Sequence, residues 1–445
     1  MSRNPSMNQS ETHDQNKNMR RVALTALAGT SIEWYDFFLY GAAAALIFPT
    51  AFFGEIPEST ALILSLLTFA AGFIARPIGG IIFGHFGDKI GRKKTLIIAL
   101  ILMGVASTLI GLLPTYAMIG VAAPILLTLL RFAQGLAIGG QWGGAMLLVT
   151  ESAPVNQRGF YGAYAQAGVP IGVILANLAY IIIGALVSDE AFFSWGWRIP
   201  FLASAVLIGL SMYIQLTMED TKAFQDLQKS NINNNENIKV KKSPIIEAIR
   251  KYPKRISLAA GAFLSVQVTF YILIAFILAY GVKSTDLVRD EMLTAVLIGS
   301  AVMVPSLFLF SAYSDRYGRK GIFILGSITT AIWAFALFPL VDTGNFWLTV
   351  LAITFGLVFI AMMYGPQAAF FTELFSTEVR YSGANLGYQM GAILGGAFAP
   401  TIATKLWTDF DIFWVSVYIA TASILTLVSV LFLTETYGSN LNEEI

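Results

Sequence analysis

Twelve apolar stretches recur along this chain of 445 residues. Each is about 20 residues long, the length an α-helix needs to cross a hydrocarbon core of about 30 Å. They fall near 22–50, 60–83, 95–113, 120–148, 160–186, 198–218, 257–281, 292–311, 321–341, 346–371, 383–407 and 412–434. No water is available inside a bilayer, so each such segment must satisfy its own backbone polar groups, and a helix does that. Only 12% of the residues are charged, against about a quarter in a soluble domain. The expected fold class is an all-α membrane protein with twelve transmembrane helices.

One long polar segment, from Glu219 to Arg255, separates the sixth stretch from the seventh. It reads as a linker between two six-helix bundles, with a short surface helix near Pro244–Tyr252. The expected organisation is a disordered N-terminal tail over 1–21, a bundle over 22–218, a linker over 219–256, a second bundle over 257–434 and a tail over 435–445. No cleavable signal peptide is apparent, because residues 1–18 are polar and the apolar run after them is too long for a signal core. Most of the 28 basic residues lie in the N-terminal tail, the 84–94 loop, the linker, the 314–320 loop, and at Arg158 and Arg380. Loops on the other side carry Glu55, Glu58, Asp189, Glu190, Asp286, Asp290, Glu291, Asp342, Asp409 and Asp411. Basic residues stay in the cytoplasm, so both termini are expected there, in a bacterial inner membrane.

The two halves repeat. Gly84-His-Phe-Gly-Asp88-Lys-Ile-Gly91-Arg92-Lys93-Lys94 follows the second stretch, and Ser311-Ala-Tyr-Ser-Asp315-Arg-Tyr-Gly318-Arg319-Lys320 follows the eighth. Glu151 and Arg158 near the end of the fourth stretch correspond to Glu373 and Arg380 near the end of the tenth. Both pairs are displaced by roughly half the chain. Parallel repeats of this kind build many alternating-access transporters, whereas a pore or a receptor has no general need of them.

The basic loop and its second copy resemble the signature of the major facilitator superfamily. Ile32-Glu33-Trp34-Tyr35-Asp36-Phe37, Ala75-Arg76-Pro77-Ile-Gly-Gly, Arg131-Phe-Ala-Gln134-Gly135, Trp195-Gly-Trp-Arg198-Ile-Pro200-Phe and Glu373-Leu-Phe-Ser-Thr-Glu378-Val-Arg380 are similar to its metabolite:proton symporter branch. That branch includes permeases for shikimate, α-ketoglutarate, citrate, and proline or betaine. The resemblance spans about Arg21 to Glu435 and implies two pseudo-symmetric six-helix bundles, alternating access and a monomer. One position departs from it. The family's usual fourth-span glutamate is Gln141 here, and glutamine cannot carry a proton at physiological pH.

Glu33 and Asp36 share a face of the first helix at i, i+3. Carboxylates at membrane depth face a bundle interior or a water-filled cavity and mark function. A paired carboxylate in a dry site can bind and release a proton near neutral pH. Both are candidate proton carriers, with Glu33 preferred for its mid-span position. Arg131, inside the fourth span, needs a carboxylate partner or an anion. A bridge from Glu33 or Asp36 to Arg131, broken by protonation, would release the guanidinium to a substrate carboxylate. Arg76 reads equally as a structural partner of a first-span carboxylate or of helix-end carbonyls, or as a substrate contact. Gln134 and Gln141 accompany Arg131. By the family's arrangement, Gln267 and Tyr271 on the seventh span and Tyr364 and Gln367 on the tenth face the cavity, with Tyr388, Gln389 and Gln166 in support. The resemblance also implies a conformational gate: Asp88 against the start of the eleventh helix, Arg92 with Glu151, and Asp315, Arg319 and Glu373 as the second copy. Glycines of the fourth and eleventh spans, among them Gly135, Gly139, Gly387 and Gly391, suit close helix packing.

The expected function is secondary import of a small organic acid with protons. A uniporter or exchanger, a proline or betaine symporter, and a non-transporting receptor stay open. Cysteine is absent and the two histidines are His13 and His85, which leaves no thiolate or histidine-rich metal site. With no nucleotide loop either, an enzyme, a cofactor and a nucleic-acid partner are not expected.

Overall fold

The computed structural model describes residues 9–54, 56–90, 92–139, 146, 149–150, 153–217, 244–375 and 380–438, of which 9–18, 21, 84–90, 92–96, 155, 214–217, 244–247 and 380–381 are described by backbone alone. Among them every regular element is a helix. Twelve long ones follow the twelve apolar stretches: α1 Gln9–Leu46, α2 Glu58–Ile90, α3 Arg92–Leu112, α4 Ala122–Gly139, α5 Arg158–Leu186, α6 Arg198–Thr217, α7 Pro253–Ser284, α8 Arg289–Tyr317, α9 Arg319–Val341, α10 Phe346–Glu373, α11 over 380–409 and α12 Ile412–Phe432. Eight of these are long and apolar enough to cross a membrane on length and composition alone. The α6 span is entered through a 50° bend from Asp189–Gly196. The other three depart for local reasons: α1 carries its acids, α3 has a short apolar part at Ile97–Leu112, and α11 is interrupted by a π-helical turn at Ala392–Ala397.

Two expectations about loops and tails change. The helix α1 begins at Gln9, inside the stretch expected to be a disordered tail. Its Glu, Gln, Lys and Arg residues are good helix formers, and Met19 and Ala23 bury themselves against Val149, Ala153 and Tyr161. The repeated basic motif is also mostly helix. Asp315 and Tyr317 lie in the last turns of α8, and Gly318 alone makes the turn to α9 with φ of 101°, a conformation that costs glycine nothing. The linker contributes a helix at Pro244–Lys251, ending in Arg250 and Lys251.

Helix neighbours repeat as the sequence does. In the N-terminal half α1 packs on α5, α2 on α4 and α3 on α6; in the C-terminal half α7 packs on α11, α8 on α10 and α9 on α12. The halves meet along α5 with α8, α2 with α11, and α1 with α7, which are interchanged by the same pseudo-twofold relation. Lipid gives helices no hydrophobic reason to associate, so close backbone packing does the work. The α2–α4 seam is the tightest example. A Cβ on Gly139 would lie 1.8 Å from the Arg76 carbonyl oxygen, and one on Gly135 would lie 2.1 Å from that of Gly72.

The two halves touch at both ends. On the face bearing the acidic loops, Lys283 Nζ lies 2.8 Å from Glu58 Oε1 and Arg289 Nη2 lies 3.1 Å from Asp189 Oδ1. On the face bearing the basic loops, the amides of Gly159 and Phe160 at the start of α5 donate to Asp315 at the end of α8, at 2.9 and 2.7 Å. Among the described residues, the halves are therefore in contact on both faces.

Candidate functional site

Two guanidinium groups lie buried at mid-depth in the N-terminal half. Arg131 of α4 reaches toward α1 and α2, and Gly72 makes room for it: a Cβ there would come 2.7 Å from Arg131 Nε. Its guanidinium carbon sits 4.0 Å from the centre of the Phe37 ring, 4.3 Å from Tyr40 and 4.7 Å from Phe69. Arg76 of α2 lies 4.3 Å from the Phe37 ring, 4.4 Å from Phe73 and 5.2 Å from Trp34. Phe37 is thus shared between two cations.

Aromatic faces supply part of what these charges lose on leaving water, about 2 kcal/mol for a desolvated cation–π contact. An unpaired charge at membrane depth costs more than that, at least about 2.5 kcal/mol and by some measures several times as much. Arg131 makes one hydrogen bond, from Nη1 to Gln134 Oε1 at 3.1 Å. Its Nε and Nη2, and all three nitrogens of Arg76, have no hydrogen-bond acceptor among the described residues; the Tyr271 phenol is a polar neighbour of Arg76. This is the electrostatic signature of a place for an anion.

The acids divide. Asp36 is fully buried and its Oδ2 accepts from Ser107 Oγ of α3 and, at 3.0 Å, from Gln134 Nε2 of α4. Its Oδ1 accepts no well-formed bond; the Ser204 hydroxyl beside it donates to the Pro200 carbonyl at 3.3 Å instead. Glu33 is half-buried. Asp36, rather than the sequence-preferred Glu33, is therefore the carboxylate brought to Arg131. The expected direct bridge is absent. Aromatic rings occupy the faces of the guanidinium, and Gln134, one turn along α4 from Arg131, stands between the two charges. Arg76 likewise has no first-span carboxylate, and rings take that place.

Between the halves, next to the arginines, is a cavity lined by Trp34, Val169, Phe263, Val266, Gln267, Phe270, Tyr271, Tyr364 and Tyr388. It has room for about one water. Gln267, Tyr271, Tyr364 and Tyr388 were legible as candidates. The phenols of Tyr364 and Tyr388 are paired, and the Phe263 ring lies 4.4 Å from that of Tyr388. Trp34 and Tyr271 line the cavity and also lie against Arg76, so the two regions share a wall. Gln367 of α10 is buried with both amide atoms unpartnered among the described residues, as is Gln389 Oε1. Gln166 donates across the interface to the Tyr364 carbonyl at 3.2 Å. Gln141 lies outside the described residues. Sequence reasoning missed the aromatic walls, Trp34, Phe37, Phe73, Phe263 and Phe270, together with Ser107. The density of rings in Trp34-Tyr-Asp-Phe-Phe38 was the available signal.

The α7 and α11 helices both take π-helical turns here, at Ile272–Phe276 and Ala392–Ala397, a feature common near functional sites. Gly395 and Gly396 let α11 close over Gln267 and Tyr271, since Cβ atoms there would lie 2.8 Å from those side chains.

At the basic face, Arg319 is fully buried. It bonds Asp315 at 2.5 Å and Glu373 at 3.3 and 3.4 Å, and Glu373 also lies 4.0 Å from Arg158 of the other half. Thr436 donates to Glu373 at 2.7 Å, and the Glu435 carboxylate caps α9 by accepting from the amides of Arg319 and Lys320 at 2.9 Å each. Of the first copy, Glu151 and the side chains of Asp88 and Arg92 lie outside the described residues.

Residues 22–444 match the family model described as sugar (and other) transporter. An inner membrane metabolite transport protein of Escherichia coli, YhjE, is 40% identical over 95% of both chains, and the shikimate transporter of the same organism is 39% identical over 90% of both. A glycine betaine/proline/ectoine/pipecolic acid transporter of Dickeya dadantii is 32% identical over 94% of this chain and 83% of its own. Among solved structures, the proton:xylose symporter XylE superposes with a TM-score of 0.72 at 18% identity, over 97% of this chain and 99% of that one.

Proposed function

The chain belongs to the sugar (and other) transporter family, within the major facilitator superfamily, and we propose that it imports a small carboxylate-bearing metabolite, shikimate-like or another organic acid, together with protons. Its relatives are transporters of small metabolites, one of them named for the inner membrane, and it is a membrane transporter of a small molecule. The finer reading rests on one observation: five guanidinium nitrogens of two buried arginines lack acceptors among the described residues, beside a cavity lined with phenols and an amide.

In this reading Arg131 and Arg76 take the carboxylate. Gln267, Tyr271, Tyr364 and Tyr388 meet the hydroxyl or carbonyl groups of the remainder. Asp36 carries the proton; neutralising it raises the affinity of the neighbouring cations for an anion, and linkage makes the anion favour the proton in return. The halves rock about the closed centre. The Asp315–Arg319–Glu373 cluster holds the basic face, which is cytoplasmic and carries both termini, while Glu58–Lys283 and Asp189–Arg289 hold the other. The protein works as a monomer.

Uptake into proteoliposomes tests this with a panel of shikimate, quinate, aromatic acids, dicarboxylates, citrate, proline and betaine. At least one acid should accumulate under an imposed inward pH gradient, about tenfold per unit of pH for one electroneutral proton, and a protonophore should abolish the accumulation. Asp36→Asn should lose accumulation and keep exchange. Uptake indifferent to the protonophore would sink the symport.

A second reading has its own support. Six aromatic side chains line the cavity, and an aromatic box suits a quaternary ammonium, as in betaine. The same panel separates the two. Gln141, in place of the usual glutamate, favours an exchanger; counterflow without gradient-driven accumulation would establish that alternative.

A further inference from the structure

Gln134 stands between the charges that the proposed transport cycle uses. Its Nε2 is 3.0 Å from Asp36 Oδ2 and 2.7 Å from Ser107 Oγ, while its Oε1 accepts from Arg131 Nη1 at 3.1 Å. Asp36, Ser107, Arg131 and Gln134 are all within 1% of complete burial, so no bulk water can substitute for a lost partner.

An ionised carboxylate only accepts, and a guanidinium only donates. One orientation of the amide serves both, with its NH2 toward Asp36 and its oxygen toward Arg131. The opposite orientation would set oxygen against oxygen and donor against donor. With both neighbours charged, the amide is therefore locked. The relay requires the proton on Asp36 Oδ2, the oxygen facing Gln134, rather than on the unpartnered Oδ1; that oxygen then becomes a donor and calls for the amide oxygen. Once the amide has turned over, its NH2 points at Arg131 Nη1, and Arg131 loses its one hydrogen bond among the described residues. Ser107 accommodates both arrangements, because its hydroxyl donates or accepts as needed and has the Met103 carbonyl, 2.9 Å away, as an alternative acceptor.

We propose that Gln134 is a positioning residue whose amide orientation transmits the protonation state of Asp36 to Arg131, holding the guanidinium when Asp36 is ionised and releasing it to the substrate anion when Asp36 is protonated. The proposal rests on the reading of Asp36 as the proton carrier and Arg131 as the anion site. Other charged or titratable groups packed around this pair are Tyr35 and Tyr40 on α1, Arg76 on α2, Tyr180 on α5 and Tyr271 on α7; α3 and α6 contribute Ser107 and Ser204, and Glu33 lies one turn before Asp36 on α1. The phenols and guanidinium groups ordinarily keep one charge state across the working pH range. Glu33 is the other group able to titrate there, so the test includes a variant that isolates Asp36.

Infrared difference spectra of the full-length protein in proteoliposomes, recorded on stepping the pH without ligand, test this directly. Arginine carries a guanidino 15N label and glutamine an amide 13C label. In the wild type, the carbonyl band of a neutral carboxyl, the shift of the guanidinium bands and the shift of the amide band should share one midpoint. Asp36→Asn should lose all three. Gln134→Met should keep the carboxyl band and lose the guanidinium shift, and Gln134→Asn, too short to reach both partners, should do the same. A guanidinium shift that survives in Gln134→Met or Gln134→Asn would overturn the relay and leave Asp36 as the proton site. So would a carboxyl band in the wild type with no accompanying amide shift, a result that needs no variant. If the wild-type spectrum minus the Asp36→Asn spectrum contains no carboxyl band, the underlying reading of Asp36 itself is overturned.

Discussion

Replacing Asp315 by asparagine should open the basic face. Asp315 accepts from the amides of Gly159 and Phe160 across the boundary between the halves, and from Arg319 within its own half. Only the first two bonds depend on closure. A hydrogen bond to a charged group is worth about 1.5–3 kcal/mol and a neutral one about 0.5–1.5, so neutralising the acceptor removes about 1–1.5 kcal/mol from each. Asparagine keeps one acceptor oxygen and presents an NH2 to the second amide, which adds to the loss. The closed state then loses about 2–3 kcal/mol, which shifts the equilibrium toward opening by about 30- to 160-fold. The chain has no native cysteine, so one introduced thiol reports without background. Ala368 of α10 is fully buried, 3.1 Å from where a Cβ on Gly162 of α5 would stand. Maleimide labelling of Ala368→Cys should accelerate by the same factor when Asp315→Asn is added, provided reclosing outpaces labelling. Equal rates in the two proteins would refute the assignment of Asp315 as a clasp between the halves.

Three further outcomes are expected. Gly139→Ala forces a methyl to within 1.8 Å of the Arg76 carbonyl, and thermal unfolding in detergent should show a loss of about 1–3 kcal/mol or more; an unchanged midpoint would contradict the α2–α4 contact. Lys283→Gln should change stability by less than about 1 kcal/mol, since Glu58 is 75% exposed, so a large drop in the same assay would mean that the pair is shielded from water. Tyr388→Phe should leave folding intact and weaken binding of the best compound in the uptake panel by about three- to tenfold, the worth of one neutral hydrogen bond; an unchanged Kd by calorimetry would remove Tyr388 from the site.

The chain's own pattern determined the twelve helices, their repeat and the family. Apolar runs of bilayer length have one folded solution, and the paired motifs at Asp88 and Asp315 are covalent facts that need no packing to be seen. It also singled out Asp36, Arg131, Gln267, Tyr271, Tyr364 and Tyr388, because a polar group is conspicuous against an apolar background. Which of these meet was decided in three dimensions. Glu33 and Asp36 are equivalent on a helical wheel, yet only Asp36 faces Ser107 and Gln134, since that depends on how α3 and α4 pack against α1. Arg76 and Arg131 share the Phe37 ring only because Gly72, Gly135 and Gly139 let α2 and α4 approach at backbone contact. The ion pairs of Glu58 with Lys283 and Asp189 with Arg289 join distant loops and carry no local signal. Local periodicity reports what each helix exposes to lipid or to its neighbours; the partner of a buried charge is chosen by the crossing of helices, which no single segment encodes.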